Sequence, residues 1–131
     1  MAAVRVVLDG SSLSFPPSGI RTYVSALIQE FAGLDQAVNL RVVEPSCRVA
    51  RSMPKRASRF WWDAWGVSTA ALREQVRVLH LPQFSAPVRR PAPVVVTIHD
   101  LIPLTWPEYR QRRSMRIYLE VMQRTVRNAE S

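Results

Sequence analysis

Four short runs of β-branched and apolar residues alternate with segments of helical periodicity, and this alternation constrains the fold of the chain more than any other feature. The runs cover residues 4–8, 40–43, 78–81 and 94–98 and are predicted strands. The last run is apolar on both faces, which is typical of a buried parallel strand. Strands that alternate with helices predict an α/β fold with a doubly wound, mostly parallel sheet.

Helical periodicity is clearest in the segment that follows the first strand. Its apolar residues form one broad face because they recur at helical spacing, at positions 20, 23, 24, 27, 28 and 31. Ser18 or Gly19 can cap the start of this helix, and Gly33 can end it. These signals predict a helix that covers one face of the sheet.

Two further helices are predicted, over residues 60–76 with a break at Gly66 and over residues 108–128. Residues 46–58 are basic and irregular and predict an exposed loop. The helix over residues 60–76 begins with an aromatic cluster of Phe60, Trp61, Trp62 and Trp65. Packing in the core, or against something absent from this chain, is the favoured interpretation of this cluster, and a stacking platform for sugars or bases is the alternative.

The size and the charge of the chain exclude several classes of protein. Its 131 residues suffice for one domain with a core, and its longest apolar runs are too short to span a bilayer. Cys47 is the only cysteine, which excludes an internal disulfide. The net charge is +8, but the arginines are spread along the chain and lie in no nucleic-acid-binding motif. A solvated basic surface that contacts anionic lipid or phosphate is therefore favoured over nucleic-acid binding.

The predicted strands deliver polar residues to one edge of the sheet. A strand order of 3-2-1-4 fits the pattern, with the winding reversing between the first and fourth strands. Ligands of such sheets bind beyond the carboxyl ends of the strands at the reversal. The residues expected at this crevice are Asp9, Gly10, Gly19, His99 and Asp100.

The start of the first helix is a candidate anion site. Residues 18–21 offer free backbone N–H groups and the positive end of the helix dipole, although an ordinary helix cap is an equal alternative. Neither the glycine fingerprint of dinucleotide-binding folds nor a P-loop occurs in the sequence. An NAD enzyme and a P-loop NTPase are therefore disfavoured.

The end of the fourth strand is a candidate reaction site. His99 can hydrogen-bond a sugar hydroxyl or a developing charge there, and Asp100 can orient it; a merely satisfied polar residue is the alternative. His80 ends the third strand, further from the crevice, and is the weaker candidate. The two histidines and one cysteine make a poor metal site, and no G-x-S-x-G elbow is present. Neither a metal centre nor a hydrolase triad is predicted.

Several segments occur in an order that carries more information than each alone. Residues 4–10 lead to Ser-Gly-Ile-Arg-Thr-Tyr at 18–23, and residues 94–103 read Val-Val-Val-Thr-Ile-His-Asp-Leu-Ile-Pro. Leu-His-Leu-Pro precedes that segment at 79–82, and Trp-Pro-Glu-Tyr follows it at 106–109. This combination resembles the family 4 retaining glycosyltransferases, whose first domain has a Gly-Ile-x-x-Tyr helix start and a His-Asp-Leu-x-Pro segment. The resemblance covers nearly the whole chain and thins in the basic loop.

The resemblance implies a Rossmann-like, acceptor-side domain of a type B glycosyltransferase. Such enzymes transfer a sugar from a nucleotide-sugar donor to an acceptor glycan, lipid or small molecule, with retention and without an essential metal. By this resemblance, Gly19 with Ser18 and Gly10 faces the donor phosphates. His99 is expected to contact the transferred sugar, and Asp100 to help form the cleft wall. No tightly bound cofactor and no nucleic acid is expected; the nucleotide-sugar is a substrate.

The resemblance also implies a second domain. Family members carry a basic pair and an E-x7-E element in a donor-binding Rossmann domain, and no E-x7-E element occurs in this sequence. We therefore expect residues 1–131 to be a partial first domain, incomplete at its C-terminus and inactive alone. A cytoplasmic location is expected, with peripheral contact to the anionic inner membrane face. The alternative is a non-catalytic α/β binding module whose basic surface meets an anionic partner.

Overall fold

The computed structural model describes residues 2–34, 37–45, 53–84 and 87–127. Within them, the strands are β1 (Val4–Asp9), β2 (Val38–Val43), β3 (Val78–Leu81) and β4 (Val94–Val96). The α-helices are α1 (Gly19–Ala32), α2 (Lys55–Trp61), α3 (Val67–Arg73), α4 (Ile102–Thr105) and α5 (Arg113–Arg127). Two 3-10 turns (Ser11–Ser14 and Pro107–Arg110) and a π-helical turn (Trp62–Gly66) complete these elements.

The strands form an all-parallel sheet in the order β2-β1-β3-β4. The chain is therefore an α/β protein, and this topology is compatible with a Rossmann-like fold. The predicted order 3-2-1-4 is wrong, because β3 rather than β4 lies beside β1. The physical reason is burial: Leu79 and Leu81 of β3 are fully buried, whereas β2 places the polar Asn39 and Arg41 at exposed edge positions. The winding thus reverses between β1 and β3.

Strand β4 lies at the edge of the sheet. It pairs only with β3 among the described residues, and Val95, which pairs with His80, is 44% exposed. The prediction of a strand buried on both faces is therefore wrong, since Val94 alone is buried there. The predicted end at residue 98 is also too late, because the strand ends at Val96.

Helix α1 confirms the capping signals in the sequence. The Oγ atom of Ser18 accepts a hydrogen bond from the backbone N–H of Arg21 at 3.3 Å, as an N-cap residue does. Gly33 is the C-cap, and its N–H bonds to carbonyls of the last turn. Both predicted ends of this helix are therefore confirmed.

The aromatic segment is helical but starts earlier than predicted. Helix α2 begins at Lys55, inside the predicted loop over residues 46–58, of which residues 46–52 lie outside the described part of the chain. The expected break at Gly66 takes the form of the π-helical turn, which ends there. A π-helical turn accommodates an extra residue without interrupting the helix.

The two faces of the sheet are covered by different helices. Val7 and Leu79 pack with Trp62, Val67 and Ala71, so the segment from the π-helical turn through α3 covers one face. Successive side chains of a strand point to opposite faces, and His80 therefore points away from this cluster. The hydroxyl of Thr97 links His80 to Tyr23 of α1, which places the start of α1 on the opposite face.

The last helix is shorter than predicted. A helix over residues 108–128 was expected, but α5 begins at Arg113, and the 3-10 turn Pro107–Arg110 occupies the start of the expected range. Leu119 and Met122 of α5 are buried. None of the helices in the described ranges is long and apolar enough to cross a membrane.

We predict that Gly66→Ala destabilises the chain. A Cβ atom at this position would lie 2.5 Å from Cε3 of Trp62 and 2.8 Å from Cζ3 of Trp61, so one of the indoles must move. We expect overpacking to lower the free energy of unfolding by about 1–3 kcal/mol, measured by urea denaturation. In an ordinary helix the same substitution stabilises by about 1 kcal/mol, and a gain of this size would contradict the prediction.

Gly33→Ala is the matched control. The nearest atom to a Cβ at Gly33 is a carbonyl oxygen at 3.4 Å, an ordinary contact, and the backbone there is right-handed helical. We therefore expect this variant to be as stable as the parent chain or slightly more so, by about 0.4–1 kcal/mol.

Candidate functional site

The carboxyl end of β1 is closed by a buried polar network. Asp9 is fully buried, and its carboxylate accepts hydrogen bonds from the N–H and hydroxyl of Ser11. Nε1 of Trp62 donates to it at 2.9 Å, and Nε2 of Gln83 at 3.4 Å. Asp9 lies at the carboxyl end of β1, where it was expected. The π-helical turn covers its carboxylate, and the hydrogen-bonding capacity of this group is used internally.

The network extends outward through Arg59. Its guanidinium donates to Oε1 of Gln83 at 2.8 Å and lies 3.6 Å from the buried carboxylate of Asp63. The same guanidinium sits 4.9 Å from the centre of the Phe15 ring, a cation–π distance. Burial, with a further contribution from Asp63, raises the pKa of Tyr118 to about 12, while Arg59 opposes the rise. Side chains of this chain therefore fill the α2 side of the carboxyl edge.

Gly10 has a packing role in the structure. Its N–H continues the pairing of β1 with the carbonyl of Val43, and the residue is buried. A Cβ atom there would lie 2.5 Å from Cγ1 of Val42. The absence of a side chain at Gly10 is thus explained by the close approach of β2.

The start of α1 is open. Gly19 is exposed, and a Cβ atom there would meet nothing within 4 Å. Ser18 uses its hydroxyl to cap the helix, so the side chain is engaged while the first N–H groups of the helix lack intrahelical acceptors. An anion can approach these N–H groups without steric hindrance from Gly19.

His99 lies against the first turns of α1. Its ring meets the ring of Tyr23 edge to face, with the centroids 5.0 Å apart and the planes at 81°. Its Nε2 atom is 2.8 Å from the carbonyl oxygen of Pro82, at the end of β3. The structure therefore brings together His99 and the helix that begins at Gly19, two of the predicted site elements.

His80 is closer to the reversal point than expected. Because β3 lies beside β1, the end of β3 forms one side of this point. Nε2 of His80 is 2.9 Å from Oγ1 of Thr97, which is also 3.3 Å from the hydroxyl of Tyr23. Burial lowers the pKa of His80 below its ordinary value of 6.5, which favours the neutral ring. The assignment of His80 to a distant strand end is wrong, because it rested on the wrong strand order.

Asp100 is turned toward its own following segment. Its Oδ1 atom accepts a hydrogen bond from the N–H of Ile102 at 2.9 Å, which satisfies a donor at the start of α4. The side chain is exposed, and its described hydrogen bond is local rather than to His99.

The aromatic cluster divides between the core and the surface. Trp62 is buried and Trp61 half-buried, as the packing interpretation predicts. Trp65 is 51% exposed and Phe60 59% exposed, on the outer side of the helix.

Sequence reasoning missed the residues that hold the site together. Tyr23 was noted in the apolar stripe of α1 and in the family resemblance, but not as a residue that contacts Thr97 and His99. Gln83 and Arg59 were not singled out at all. A Gln that directly follows a strand and its Pro, at the carboxyl edge, was the available signal for Gln83.

An open apolar groove of about 400 Å³ is lined by α1 and β2, mostly at the amino end of β2, and therefore lies away from His99. Within the described ranges, no three His, Cys, Asp or Glu side chains are grouped so that they could hold a metal ion.

We predict that Trp62→Phe destabilises the chain through Asp9. The variant keeps most of the packed ring but removes the Nε1–H donor, which leaves a fully buried carboxylate with one hydrogen bond fewer. The expected loss in free energy of unfolding is about 1–3 kcal/mol, measured by chemical denaturation. The control Trp65→Phe, at an exposed position, is expected to change it by less than about 0.5 kcal/mol.

A double-mutant cycle separates the hydrogen bond from the lost ring volume. If the bond carries the effect, Trp62→Phe costs less in an Asp9→Leu background, which has no acceptor for Nε1–H, with a coupling of about 0.5–3 kcal/mol. An equal cost in both backgrounds would show that packing alone is responsible.

Comparisons of the chain with protein-family models, with curated proteins and with solved structures give no match. What the geometry shows is an α/β chain with an all-parallel sheet, in which His99 and the start of α1 meet at the carboxyl edge.

Proposed function

We propose that this chain is the acceptor-side portion of a retaining glycosyltransferase that uses a nucleotide-sugar donor. The observation that carries the proposal is the edge-to-face contact between His99 and Tyr23. It sets an exposed imidazole beside the first turns of α1. The Nε2 atom of this ring reaches the end of β3, which forms one side of the reversal point where sheets of this kind bind ligands.

The two elements suit the two halves of a nucleotide-sugar. The N–H groups at the start of α1 suit the negative diphosphate, which also gains from the positive end of the helix dipole. The absence of a side chain at Gly19 lets the phosphate approach the backbone. The imidazole of His99 suits the sugar, whose hydroxyls form hydrogen bonds with it. Placed hydrogen bonds to the sugar and to the departing phosphate favour transfer when they strengthen in the transition state.

Gly10, Ser18 and Asp100 have supporting roles in this proposal. Gly10 lets β2 pack against the end of β1, Ser18 holds the helix start in shape, and Asp100 shapes the segment that follows His99. The nucleotide-sugar is the substrate rather than a bound cofactor. Most of the donor affinity belongs to a second domain, so we expect the 131-residue chain alone to release no nucleotide from any nucleotide-sugar.

The test is a transfer assay of the longest polypeptide that the gene encodes, with UDP-, GDP- and ADP-linked sugars. We expect His99→Ala to lower the transfer rate by about 10² or more, the loss typical of a removed transition-state contact. Val95→Ala, an exposed position on β4, is the control and is expected to retain the parent rate. An unchanged rate in His99→Ala, or no transfer from any donor, would contradict the proposal.

A second candidate function is a binding module for an anionic surface. The observation in its favour is an exposed segment, residues 101–117, that mixes apolar and basic side chains. Its exposed apolar residues are Leu101, Ile102, Trp106, Tyr109 and Ile117. Its exposed basic residues are Arg110, Arg112, Arg113 and Arg116. Interfacial aromatic side chains and arginines together suit a membrane surface rich in anionic lipid. This contact is compatible with the first proposal, because glycosyl acceptors include lipids.

We predict that the chain binds phosphatidylglycerol-containing vesicles in preference to pure phosphatidylcholine vesicles. Replacing Arg112, Arg113 and Arg116 by Gln is expected to weaken this binding by about 10²-fold, since each basic residue near the surface contributes about 1 kcal/mol. Vesicle co-sedimentation at low and high salt measures the effect.

The control has the same change of charge at the other end of the sheet. Arg5, Arg73 and Arg77 are exposed, and Arg77 lies beside Arg5 at the amino edge. Replacement of these three by Gln is expected to change vesicle binding little. Equal weakening in both triple variants would indicate attraction by net charge alone and would contradict a defined membrane-binding segment.

A further inference from the structure

The imidazole of His99 is held through its Nε2 atom. This atom lies 2.8 Å from the carbonyl oxygen of Pro82, and a carbonyl can only accept, so Nε2 carries the proton. In the neutral ring the lone pair then belongs to Nδ1. Among the described residues, none forms a hydrogen bond with Nδ1, and the side chain is exposed.

Tyr23 fixes the plane of the same ring. The two rings meet at 81° with their centroids 5.0 Å apart, which is the edge-to-face geometry that aromatic pairs prefer. Tyr23 is itself tied to the sheet, because its hydroxyl lies 3.3 Å from Oγ1 of Thr97. The backbone N–H of Thr97 bonds to the carbonyl of Leu81 at 2.9 Å. The position of the His99 ring therefore depends on α1, β3 and the end of β4 together.

We propose that Tyr23 is a positioning residue, which with the carbonyl of Pro82 holds His99 so that Nδ1 accepts a hydrogen bond from a hydroxyl of the bound sugar. The identity of the ligand rests on the proposed function. The choice of ligand group follows from chemistry: a neutral Nδ1 is an acceptor, so it suits a hydroxyl donor and not a phosphate oxygen. The phosphate and the sugar hydroxyl are thereby assigned to different groups, the start of α1 and Nδ1 of His99.

The positioning is tested on the 131-residue chain without any activity. Two-bond ¹H–¹⁵N correlation spectra of the imidazole report which nitrogen is protonated. We expect the Nε2–H tautomer for neutral His99 in the parent chain and in Tyr23→Phe, which keeps the ring. Tyr23→Leu removes the ring, and the His99 nitrogen shifts are expected to move toward the averaged values of a mobile imidazole. Tyr109→Leu, at a half-exposed tyrosine elsewhere, is the control and is expected to leave the His99 signals in place.

Two results of this measurement overturn the positioning role. One is a dominant Nδ1–H tautomer in the parent chain. The other is a His99 signal in Tyr23→Leu that is the same as in the parent. Circular dichroism of each variant identifies any that fails to fold, and for such a variant Tyr23→Met replaces Tyr23→Leu as the ring-free comparison.

The use of Nδ1 is tested in the transfer assay of the longest polypeptide. The side-chain amide of Asn can occupy the place of Nδ1, and that of Gln the place of Nε2. If Nδ1 meets the sugar, His99→Asn is expected to retain about tenfold more kcat/KM than His99→Gln. A higher value for His99→Gln overturns the assignment to Nδ1. Absence of transfer in the parent protein overturns the proposed function and the sugar as ligand, whereas the positioning by Tyr23 is decided by the spectra alone.

Discussion

The carboxylate of Asp9 is the group on which the arrangement of this chain depends. A charge that is fully removed from water is costly unless its hydrogen-bonding capacity is filled. Here the donors come from three places: the turn after β1, the π-helical turn, and the segment after β3. Each donor fixes one of these segments relative to β1. The burial of one carboxylate thus holds together the carboxyl edge of the sheet, because the loss of any one donor would leave a buried charge with an unfilled acceptor.

The functional character of the edge follows from this one-sided closure. On the face of the π-helical turn, both carboxylate oxygens of Asp9 accept hydrogen bonds from within the chain, so neither is left for a ligand. On the face of α1, the polar groups form a chain from His80 through Thr97 to Tyr23, and His99 lies at its outer end. The strand order makes this series of polar contacts possible. Because β3 lies between β1 and β4, the ends of β3 and β4 are next to each other under the start of α1.

Local signals in the sequence predicted the bounds of β3 and α1 well. Strand β3 has the predicted ends, and α1 has both of its predicted caps, because apolar spacing, Ser18 and Gly33 act over a few residues. The strand order was not predictable in this way, since it depends on which strand is covered on both faces. The polar residues of β2 were the available clue that this strand belongs at an edge. The bond from Trp62 to Asp9 joins residues 53 positions apart, and the contact of Tyr23 with His99 has no local signature either. The candidate residues His99 and Gly19 were therefore found, but the residues that orient them were not.

The π-helical turn constrains the number of residues in its segment as firmly as it constrains their identity. It carries one residue more than an α-helical turn, and each residue of a helix corresponds to about 100° of rotation. Loss of a single residue between Trp62 and Gly66 would restore regular helix and rotate α3 by that angle relative to α2. Val67 and Ala71 would then leave the core that they share with Leu79, while Trp62 stayed over Asp9. Homologous chains that keep both contacts are thus expected to conserve the number of residues here even where the residues themselves change.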